Sequence, residues 1–464
     1  MGTMKIPHTA RYRKRVGSFG GTDVKRDSSV ISFSTAARCY NFDMSSGALR
    51  EGYGTETHAL VPNSARRYYV YRYYSDEDGK YIDQYLYQLK NGLIMCYDSK
   101  RKMHLYISGK QFPEMHAVNY RLNSADVLLL SFSDGTLKSW NGSKIVDYPV
   151  PDISSMALHY ERLFVTSKTE PTKVFFSDDL DPTNFAVSSD GGGFIELLDE
   201  RGNLNKVVSF GSYLYIFRDH GISRVTAFGD QREFSVVNLF VTAGRIYPSS
   251  IATCGSSVMF LASDGLYRFD GYDCVRVLEN LDGLIVAGDN CSCAYHNGKY
   301  FLACGMDFGD GEIVGCEAAE HTVNGLLVLD MSTGEYSVTR GTDITFMNSC
   351  TYEGEDYLVC CDGGAGRVIS RCGTRNGEPL PKVWTGADTD FGSPDAVKSV
   401  REVYIKTSVA CELTLENGKK KKTLAVKPGD RRVRVNFNAR RMSLTVGCAA
   451  AACTVKPPTI VYSV

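Results

Sequence analysis

The chain of 464 residues lacks several features that would define a function class. No apolar stretch approaches the roughly 20 residues of a membrane-spanning helix, so we expect no association with a membrane. The basic N-terminus is followed by no apolar segment, so we expect no secretory signal. The formal net charge of −1 gives no overall attraction to nucleic acid or lipid. These absences predict a protein that is made and kept in a cytoplasm.

Motifs of catalysis and cofactor binding are missing as well. The chain has no glycine-rich phosphate loop, no dinucleotide fingerprint, no Gly-x-Ser-x-Gly and no His-Glu-x-x-His. Its eight histidines are scattered along the chain. The segment 131–136 comes near the Asp-box turns of sialidase propellers, but its aspartate is displaced by one position and no tryptophan follows Thr136. We therefore predict no catalytic residue, no cofactor and no metal site.

Cysteines are frequent but do not have the spacing of a metal site. There are fifteen, an odd number, and no Cys-x-x-Cys pair occurs. Eight of them fall in the last two predicted repeats: Cys291, Cys293, Cys304, Cys316, Cys350, Cys360, Cys361 and Cys372. We interpret them as reduced thiols that fill the core. The acidic loop at 307–312 has oxygen ligands for Ca²⁺ but departs from calcium-loop spacing, and a solvated loop tip is the favoured interpretation.

The composition instead favours many short strands and tight turns. The chain has 44 glycines, 28 tyrosines and only 14 prolines, and it contains no convincing long amphipathic helix. Turn signals recur along it at steps of 43, 44, 41, 45, 60 and 38 residues. They centre on Asn91, Asp134, Asp178, Asp219, Asp264, Asn324 and Asp362. A period near 40–45 residues is typical of the four-stranded blades of a β-propeller.

A second pattern supports the same fold. Five of the repeats contain a strand, a turn and then a densely apolar strand, as in 250–253 followed by 258–261. Such nearly continuous apolar strands fit the middle of a blade, which buries both faces against its neighbours. The sequence predicts an all-β protein with a propeller of six or seven four-stranded blades, followed by a small antiparallel β-sandwich or barrel.

These patterns also predict the division of the chain. Residues 1–60 are expected to be a basic N-terminal arm with lead-in strands, and residues 61–375 the propeller. A stretch rich in glycine and proline at 376–396 is expected to be a linker. Residues 397–464 show alternating strands and are expected to form the C-terminal β-domain.

Positive charge is concentrated near both ends of the chain. The predicted DNA- or partner-contacting residues are Arg11, Arg13, Lys14, Arg15, Lys419, Lys420, Lys421, Lys422, Arg431, Arg432, Arg434, Arg440 and Arg441. Two interpretations of the C-terminal cations have equal weight. They are either a solvated edge at which lysine discourages strand pairing, or a surface for DNA phosphates or an acidic protein. Aromatic residues do not interleave the run, so stacking on single-stranded bases is not expected.

Several sequence segments resemble those of propeller-type virion proteins of tailed bacteriophages. They include 47–54, the phrase Phe260–Gly271, and 384–392 leading to Lys398. Within this group, the chain resembles the packaged-DNA stabilisation proteins and the tail nozzle or hub proteins of short-tailed phages. The resemblance spans most of the chain, but each motif is short and structural.

The resemblance implies a non-enzymatic structural protein of the virion, made in the cytoplasm of the host bacterium. It implies a homo-oligomeric ring below the portal that closes or extends the DNA exit channel. The implied partners are the portal, adaptor and tail proteins, together with packaged DNA. Two alternatives stay open: a carbohydrate- or receptor-binding propeller at the tail tip, and a propeller hydrolase with acids converging on the central channel.

Overall fold

A computed structural model describes residues 10–98, 100–108, 115–132, 136–188, 191–309, 322–352 and 354–464. The described residues form 43 strands and three single-turn 3₁₀ helices, Gln231–Glu233, Pro248–Ser250 and Glu279–Leu281. The N-terminal strands are β1 (Tyr12–Arg15), β2 (Gly20–Thr22), β3 (Thr35–Tyr40), β4 (Phe42–Asp43), β5 (Leu49–Glu51) and β6 (Gly54–Glu56).

Seven antiparallel sheets follow as propeller blades. Blade 1 contains β7 (Ala65–Ser75), β8 (Lys80–Leu89), β9 (Ile94–Asp98) and β10 (Met103–Ser108). Blade 2 contains β11 (Met115–Leu122), β12 (Ala125–Phe132), β13 (Leu137–Trp140) and β14 (Ile145–Tyr148). Blade 3 contains β15 (Ser155–His159), β16 (Arg162–Thr166), β17 (Lys173–Phe176) and β18 (Gly193–Glu196). Blades 4 and 5 contain β19 (Leu204–Phe210), β20 (Tyr213–Arg218), β21 (Gly221–Thr226) and β22 (Ser235–Val241), then β23 (Ala252–Cys254), β24 (Ser257–Ala262), β25 (Gly265–Phe269) and β26 (Cys274–Val277).

Blades 6 and 7 are larger than the others. Blade 6 contains β27 (Ile285–Val286), β28 (Ser292–His296), β29 (Lys299–Asp307), β30 (Thr322–Asp330) and β31 (Tyr336–Arg340). Blade 7 contains β32 (Ile344–Tyr352), β33 (Glu355–Asp362), β34 (Ala365–Ser370), β35 (Thr374–Arg375) and β36 (Glu378–Pro379), and it takes in β6 from the N-terminus beside β34. The innermost strand β32 of blade 7 contacts β7 of blade 1, which closes the ring.

Hydrophobic clusters between neighbouring blades explain the continuous apolar runs. Seven clusters each join one adjacent pair of blades, including the pair formed by blades 7 and 1. On β12, Leu128 packs against blade 1 while Val127 and Leu129 pack against blade 3. Successive side chains on a strand point to opposite faces, so an apolar residue is needed at every position. The predicted all-β propeller fold is confirmed, with seven blades.

The repeat turns are only partly equivalent in the structure. Asn91, Asp219, Asp264 and Asp362 lie at the turn between the second and third strands of their blades. Asp178 instead follows the third strand of blade 3, where its backbone N–H is bonded to the Asn184 carbonyl. Asn324 lies inside β30, because the blade 6 hairpin is longer than the others and its turn falls between β29 and β30. The 133–135 turn and residues 310–321 are outside the described residues.

The second region is a sandwich of two six-stranded sheets. Its C-terminal strands are β37 (Lys382–Gly386), β38 (Lys398–Thr407), β39 (Cys411–Glu416), β40 (Lys421–Val426), β41 (Gly429–Ala439), β42 (Ser443–Cys448) and β43 (Thr454–Ser463). The first sheet has the order β4-β5-β43-β38-β41, with β1 also paired to β43, and the second has the order β2-β3-β37-β42-β39-β40. The core between them is apolar and includes the fully buried Trp384.

The N-terminal segment differs from an arm that only a partner would order. Strands β1 to β5 complete both sheets of the sandwich, and β6 completes blade 7. The sequence did not predict these pairings, because the short strands show little apolar alternation and the partners of β1, β3, β5 and β6 outside the segment are more than 300 residues away. Residues 376–396, expected to be a linker, contain β36 of blade 7 and β37 near the centre of the sandwich.

Hydrogen bonds hold the N-terminal segment to both regions. In blade 7, the Thr55 hydroxyl donates to the buried carboxylate of Asp362 (2.6 Å), which also accepts from the Arg375 guanidinium (2.8 Å). Where the sandwich meets blade 6, the backbone amide of Asn41 donates to the Val338 carbonyl (2.8 Å). The backbone amide of Arg340 donates to the side-chain oxygen of Asn41 (2.7 Å). The sandwich lies against blade 6 through the contacts of β3 and β4 with β31. Ion pairs of Lys25 with Glu279 and of Asp43 with Arg371 join it to blades 5 and 7. Strands β40 and β41 lie at its far edges.

Candidate nucleic-acid interface

The N-terminal cations of β1 lie on the first sandwich sheet. In the register with β43, Arg13 is opposite Val461 and Arg15 is opposite Thr459, and both arginines are exposed. Lys14 points to the other face, where its ammonium lies 5.9 Å from the centre of the Phe33 ring. The side chain of Tyr12 stacks on Tyr462 at a centroid distance of 5.6 Å. Alternation along β1 therefore leaves Arg13 and Arg15 on the outer face.

The same rows continue across the sheet to the C-terminal cations. One row runs from Arg13 through Val461 and Glu402 to Arg434. The next runs from Arg15 through Thr459 and Tyr404 to Arg432, and a third pairs Lys456 with Lys406 and Asp430. Cross-strand partners share a face, so residues from the two ends of the chain meet on one surface. We call the following residues the cationic face: Arg13, Arg15, Lys406, Arg432, Arg434 and Lys456.

Burial on the opposite side of the sheet confirms this orientation. Val403, Val435 and Ile460 lie on the inner face and are fully or almost fully buried. The pattern is hydrophobic inside and charged outside, as expected for a sheet with one solvated face. Lys406 and Lys456 are members that the sequence interpretation missed. Each is an isolated cation in its own stretch of sequence, and only the pairing of β38 with β43 shows that both lie on this face.

One carboxylate on the cationic face is already neutralised. Glu402 forms an ion pair with the Arg432 guanidinium, and its other oxygen lies 3.4 Å from the Tyr404 hydroxyl. The hydrogen bond from Arg432 lowers the pKa of Glu402, and the charge of Arg11 contributes in the same direction. That hydrogen bond raises the pKa of Arg432. Glu402 therefore remains an anion that fixes Arg432, while Arg13, Arg15 and Arg434 keep the face positive.

The remaining C-terminal lysines form a separate feature at the sandwich edge. Strands β40 and β41 are the terminal strands of the two sheets, and 427–428 connects them. The Asn417 side chain accepts hydrogen bonds from the amides of Lys419 (3.1 Å) and Lys420 (2.7 Å), which fixes the turn before β40. We call Lys419–Lys422 and Lys427 the cationic edge. The described residues provide no ion-pair partner for Lys419 or Lys420.

Three of the predicted C-terminal cations belong to neither surface. Arg441 is tied to Asp388 (2.9 Å) and Asp390 (3.5 Å), and Arg440 contributes its carbonyl to the buried ammonium of Lys398 (2.7 Å). The guanidinium of Arg431 folds back onto the Pro428 carbonyl (2.8 Å). The structure gives these residues local structural contacts.

Charge is strongly divided between the two regions. Residues 52–381, which form the propeller, contain 42 Asp and Glu but only 28 Lys and Arg, a net charge of −14. Residues 10–51 and 382–464, which form the sandwich, contain 23 Lys and Arg and 11 Asp and Glu, a net charge of +12. The near-neutral total conceals a molecule with an acidic region and a basic region.

The other features that bear on chemistry are the innermost strands of the blades and the metal-binding side chains. The innermost strands β7, β11, β15, β19, β23, β28 and β32 contain no Asp or Glu. Within the described ranges, no group of three His, Cys, Asp or Glu side chains could hold a metal ion. The described cysteines are free and buried or half-buried, and Cys316 is outside these ranges. No helix in these ranges is long and apolar enough to span a membrane.

Comparisons with known proteins give no relative by sequence. No protein-family model matches the chain, and no curated protein matches it. Solved structures that match include two crystal structures of BBS1N in complex with ARL6DN, one soaked with mercury and one with lead. Each has a TM-score of 0.43, and the identities are 10% and 11%. Each match covers 68% of this chain and 97% of the other chain.

Proposed function

We propose that this chain is a non-enzymatic structural subunit of a tailed-bacteriophage particle, located at the neck or tail. Several copies form a ring around the DNA exit channel, joined to portal, adaptor and tail proteins. The observation that carries the proposal is the cationic face, on which Arg13 and Arg15 join Arg432 and Arg434 across four strands. The sequence segments that resemble phage virion proteins are the reason for proposing a phage particle and a position at its neck or tail.

The cationic face has the size and chemistry to contact a DNA backbone. From β1 to β41 it spans three strand spacings, about 14 Å. A duplex presents one negative charge per roughly 1.7 Å of its axis, so a length of duplex equal to this width carries about eight phosphate charges on its two strands. Tyr404 is the one aromatic residue in the rows described, and its hydroxyl is close to Glu402. Arginine and lysine without base-reading groups suit a surface that contacts DNA without sequence preference.

The charge division orients the subunit relative to DNA. The field of packaged DNA attracts the sandwich with its net charge of +12 and repels the propeller with its net charge of −14. A ring built from such subunits directs its sandwiches towards the channel and its propellers away from the DNA. The rigid propeller then supplies the body of the ring.

The salt dependence of DNA binding tests this proposal. We would compare the wild type with the triple variant R13Q/R434Q/K456Q, using fluorescence anisotropy on a random-sequence duplex. Losing three phosphate contacts should reduce the slope of log K against log salt by about 2.7. The matched control is K80Q/K90Q/K144Q, which removes three exposed propeller lysines and should bind as the wild type does. Equal slopes for all three proteins would refute the DNA-facing role of the cationic face.

A second candidate function is binding of carbohydrate or a cell-surface receptor at the tail tip. Exposed tyrosines in blade 1 favour it, since Tyr74, Tyr81 and Tyr106 are 45%, 61% and 56% exposed. The rings of Tyr74 and Tyr81 contact each other at 5.3 Å. Binding on a glycan array that is lost in Y81A would support this function, and an array without signal would count against it.

A further inference from the structure

A groove of about 470 Å³ lies between blades 2 and 3, on the side of the ring opposite the sandwich. The sandwich packs on blades 5 to 7, and in a seven-membered ring the position opposite blade 6 is the junction of blades 2 and 3. Residues of strands β11 and β12, the turn between β15 and β16, Leu180 and Arg72 of β7 line the groove. The groove therefore lies on blades that do not contact the sandwich and its cationic edge.

Apolar side chains are unusually exposed along this groove. Tyr160 is 48% exposed and Leu180 is 65% exposed. Both have left-handed backbone conformations, with φ of 49° and 57°, which residues with bulky side chains seldom adopt. The Tyr160 ring contacts that of Phe228, itself 65% exposed, at 5.0 Å. Neighbouring exposed apolar groups of this kind mark interaction surfaces.

Carboxylates form the rim of the same groove. Glu161 lines the groove beside Tyr120, and Asp179 and Asp181 flank Leu180 in the chain. Burial raises the pKa of Tyr120, and the charges of these three acids raise it further. The two arginines of the groove already have acidic partners. Arg72 is bonded to Asp83 at 2.8 Å, and Arg121 lies 3.9 Å from Asp126. The rim of the groove therefore keeps an excess of negative charge.

We propose that this groove binds the cationic edge of a second copy of the chain. The aliphatic stems of Lys419–Lys422 would cover Tyr160 and Leu180, and their ammonium groups would reach Glu161 and Asp179. Lysine side chains pack their methylene groups on apolar surface in this way while the charged end stays at a polar rim. The net charges of −14 and +12 make the two ends of neighbouring copies complementary. The inference rests on the proposed ring and names its contact surfaces.

The geometry of this contact is head-to-tail. The edge is on the sandwich and the groove is on blades that the sandwich does not contact, so we assign the contact to two neighbouring copies. A contact between two different surfaces repeats from copy to copy, and it closes into a ring when the rotation allows. The cationic face is formed by other residues, so it remains free for DNA in the assembled ring.

Charge reversal at the two surfaces tests the inference. Sedimentation velocity at low salt would be run on the wild type, on K420E/K422E and on E161K/D179K. We expect each double variant to weaken self-association at least tenfold and an equimolar mixture of the two to recover a complex, because each retains one surface that matches the other. Matched controls are K144E and E355K, which reverse exposed charges elsewhere on the propeller and should assemble normally.

The outcomes separate this inference from the proposed function. If both double variants still form the ring that the wild type forms, the groove-to-edge contact is wrong and the proposed ring stands. Assembly lost equally in the two controls would also overturn it, since net charge alone would then explain the effect. A wild type that stays monomeric would refute both the ring and the contact. Thermal unfolding of each variant would verify that it is folded.

Discussion

The propeller and the sandwich both bury apolar side chains between sheets, but their strands are paired in different ways. Apart from β6 in blade 7, each blade pairs strands that are close in sequence, and consecutive residues of its central strands pack against two neighbouring blades. The sandwich instead combines strands from both ends of the chain, and its sheets have one solvated face. The propeller is acidic and built from local pairings, whereas the sandwich is basic and built from distant ones. The distant pairings are what assemble the cationic face.

The largest expected effect comes from removing the segment shared by both regions. A chain that starts at residue 57 lacks β1 to β6, so the sandwich loses five strands and blade 7 loses one. We expect this chain to be insoluble or to lack a cooperative unfolding transition by circular dichroism. Co-expression of residues 1–56 as a separate chain should restore soluble protein. A soluble, cooperatively folded truncation would show that neither region needs the segment.

The second prediction concerns the closure of blade 7. Asp362 is 1% exposed and accepts hydrogen bonds from Thr55, Arg375 and the Asp343 amide. Asp362→Asn leaves Arg375 without its carboxylate, and we expect a loss of about 3 kcal/mol in the free energy of unfolding. The matched control is Asp356→Asn at an exposed position of the same blade. Urea denaturation would measure both, and equal stabilities would mean that the closure does not depend on this ion pair.

How much of this could be predicted from the sequence follows from the same contrast. The blades were predictable because a strand, a tight turn and an apolar strand recur within about twenty residues, as in Ser250–Leu261. The partners of β1 were not, since the sequence Tyr12–Arg15 has no apolar alternation and its register is set by β43. The cations of both ends were identified from the sequence. Their meeting on one face depends on the pairing of β1 with β43, which spans more than 400 residues. Lys406 and Lys456 join the face through the pairing of β38 with β43, whose register the sequence alone does not reveal.

A third prediction concerns the pH dependence of stability that a buried histidine of the propeller causes. His159 in blade 3 is buried beside the Ser209 hydroxyl at 2.9 Å, and burial lowers the pKa of its imidazole from 6.5 to about 4. The unfolded chain therefore binds this proton first, so the stabilising contribution is complete above pH 6.5 and is lost as the pH falls towards 4. The loss is up to about 3 kcal/mol. The free energy of unfolding from urea titrations at pH 7.5 to 4.5 would show it.

The control for this prediction is His159→Gln, which carries no titratable group. Its stability should depend less on pH across the same window than that of the wild type. If wild type and variant lose stability in parallel, then His159 is not the group responsible, and the acid sensitivity originates elsewhere in the molecule.

The smallest expected difference lies between the unfolding midpoints of the two regions. The chain has two tryptophans, Trp140 in blade 2 and the fully buried Trp384 in the sandwich. The variants W384F and W140F each leave one fluorescent reporter in one region. Because the N-terminal segment belongs to both regions, we expect the fluorescence transition of each variant to coincide with its circular dichroism transition. Non-coincident transitions would show that propeller and sandwich unfold independently.

The central claim is that opposite charges on the two regions organise an assembly of this chain. The most direct test is the mass of the purified protein by light scattering, measured at low and at high salt. Our account predicts a closed oligomer at low salt that weakens as salt is added, because the contact joins acidic and basic surfaces. A monomer whose mass does not change with salt or concentration would contradict it.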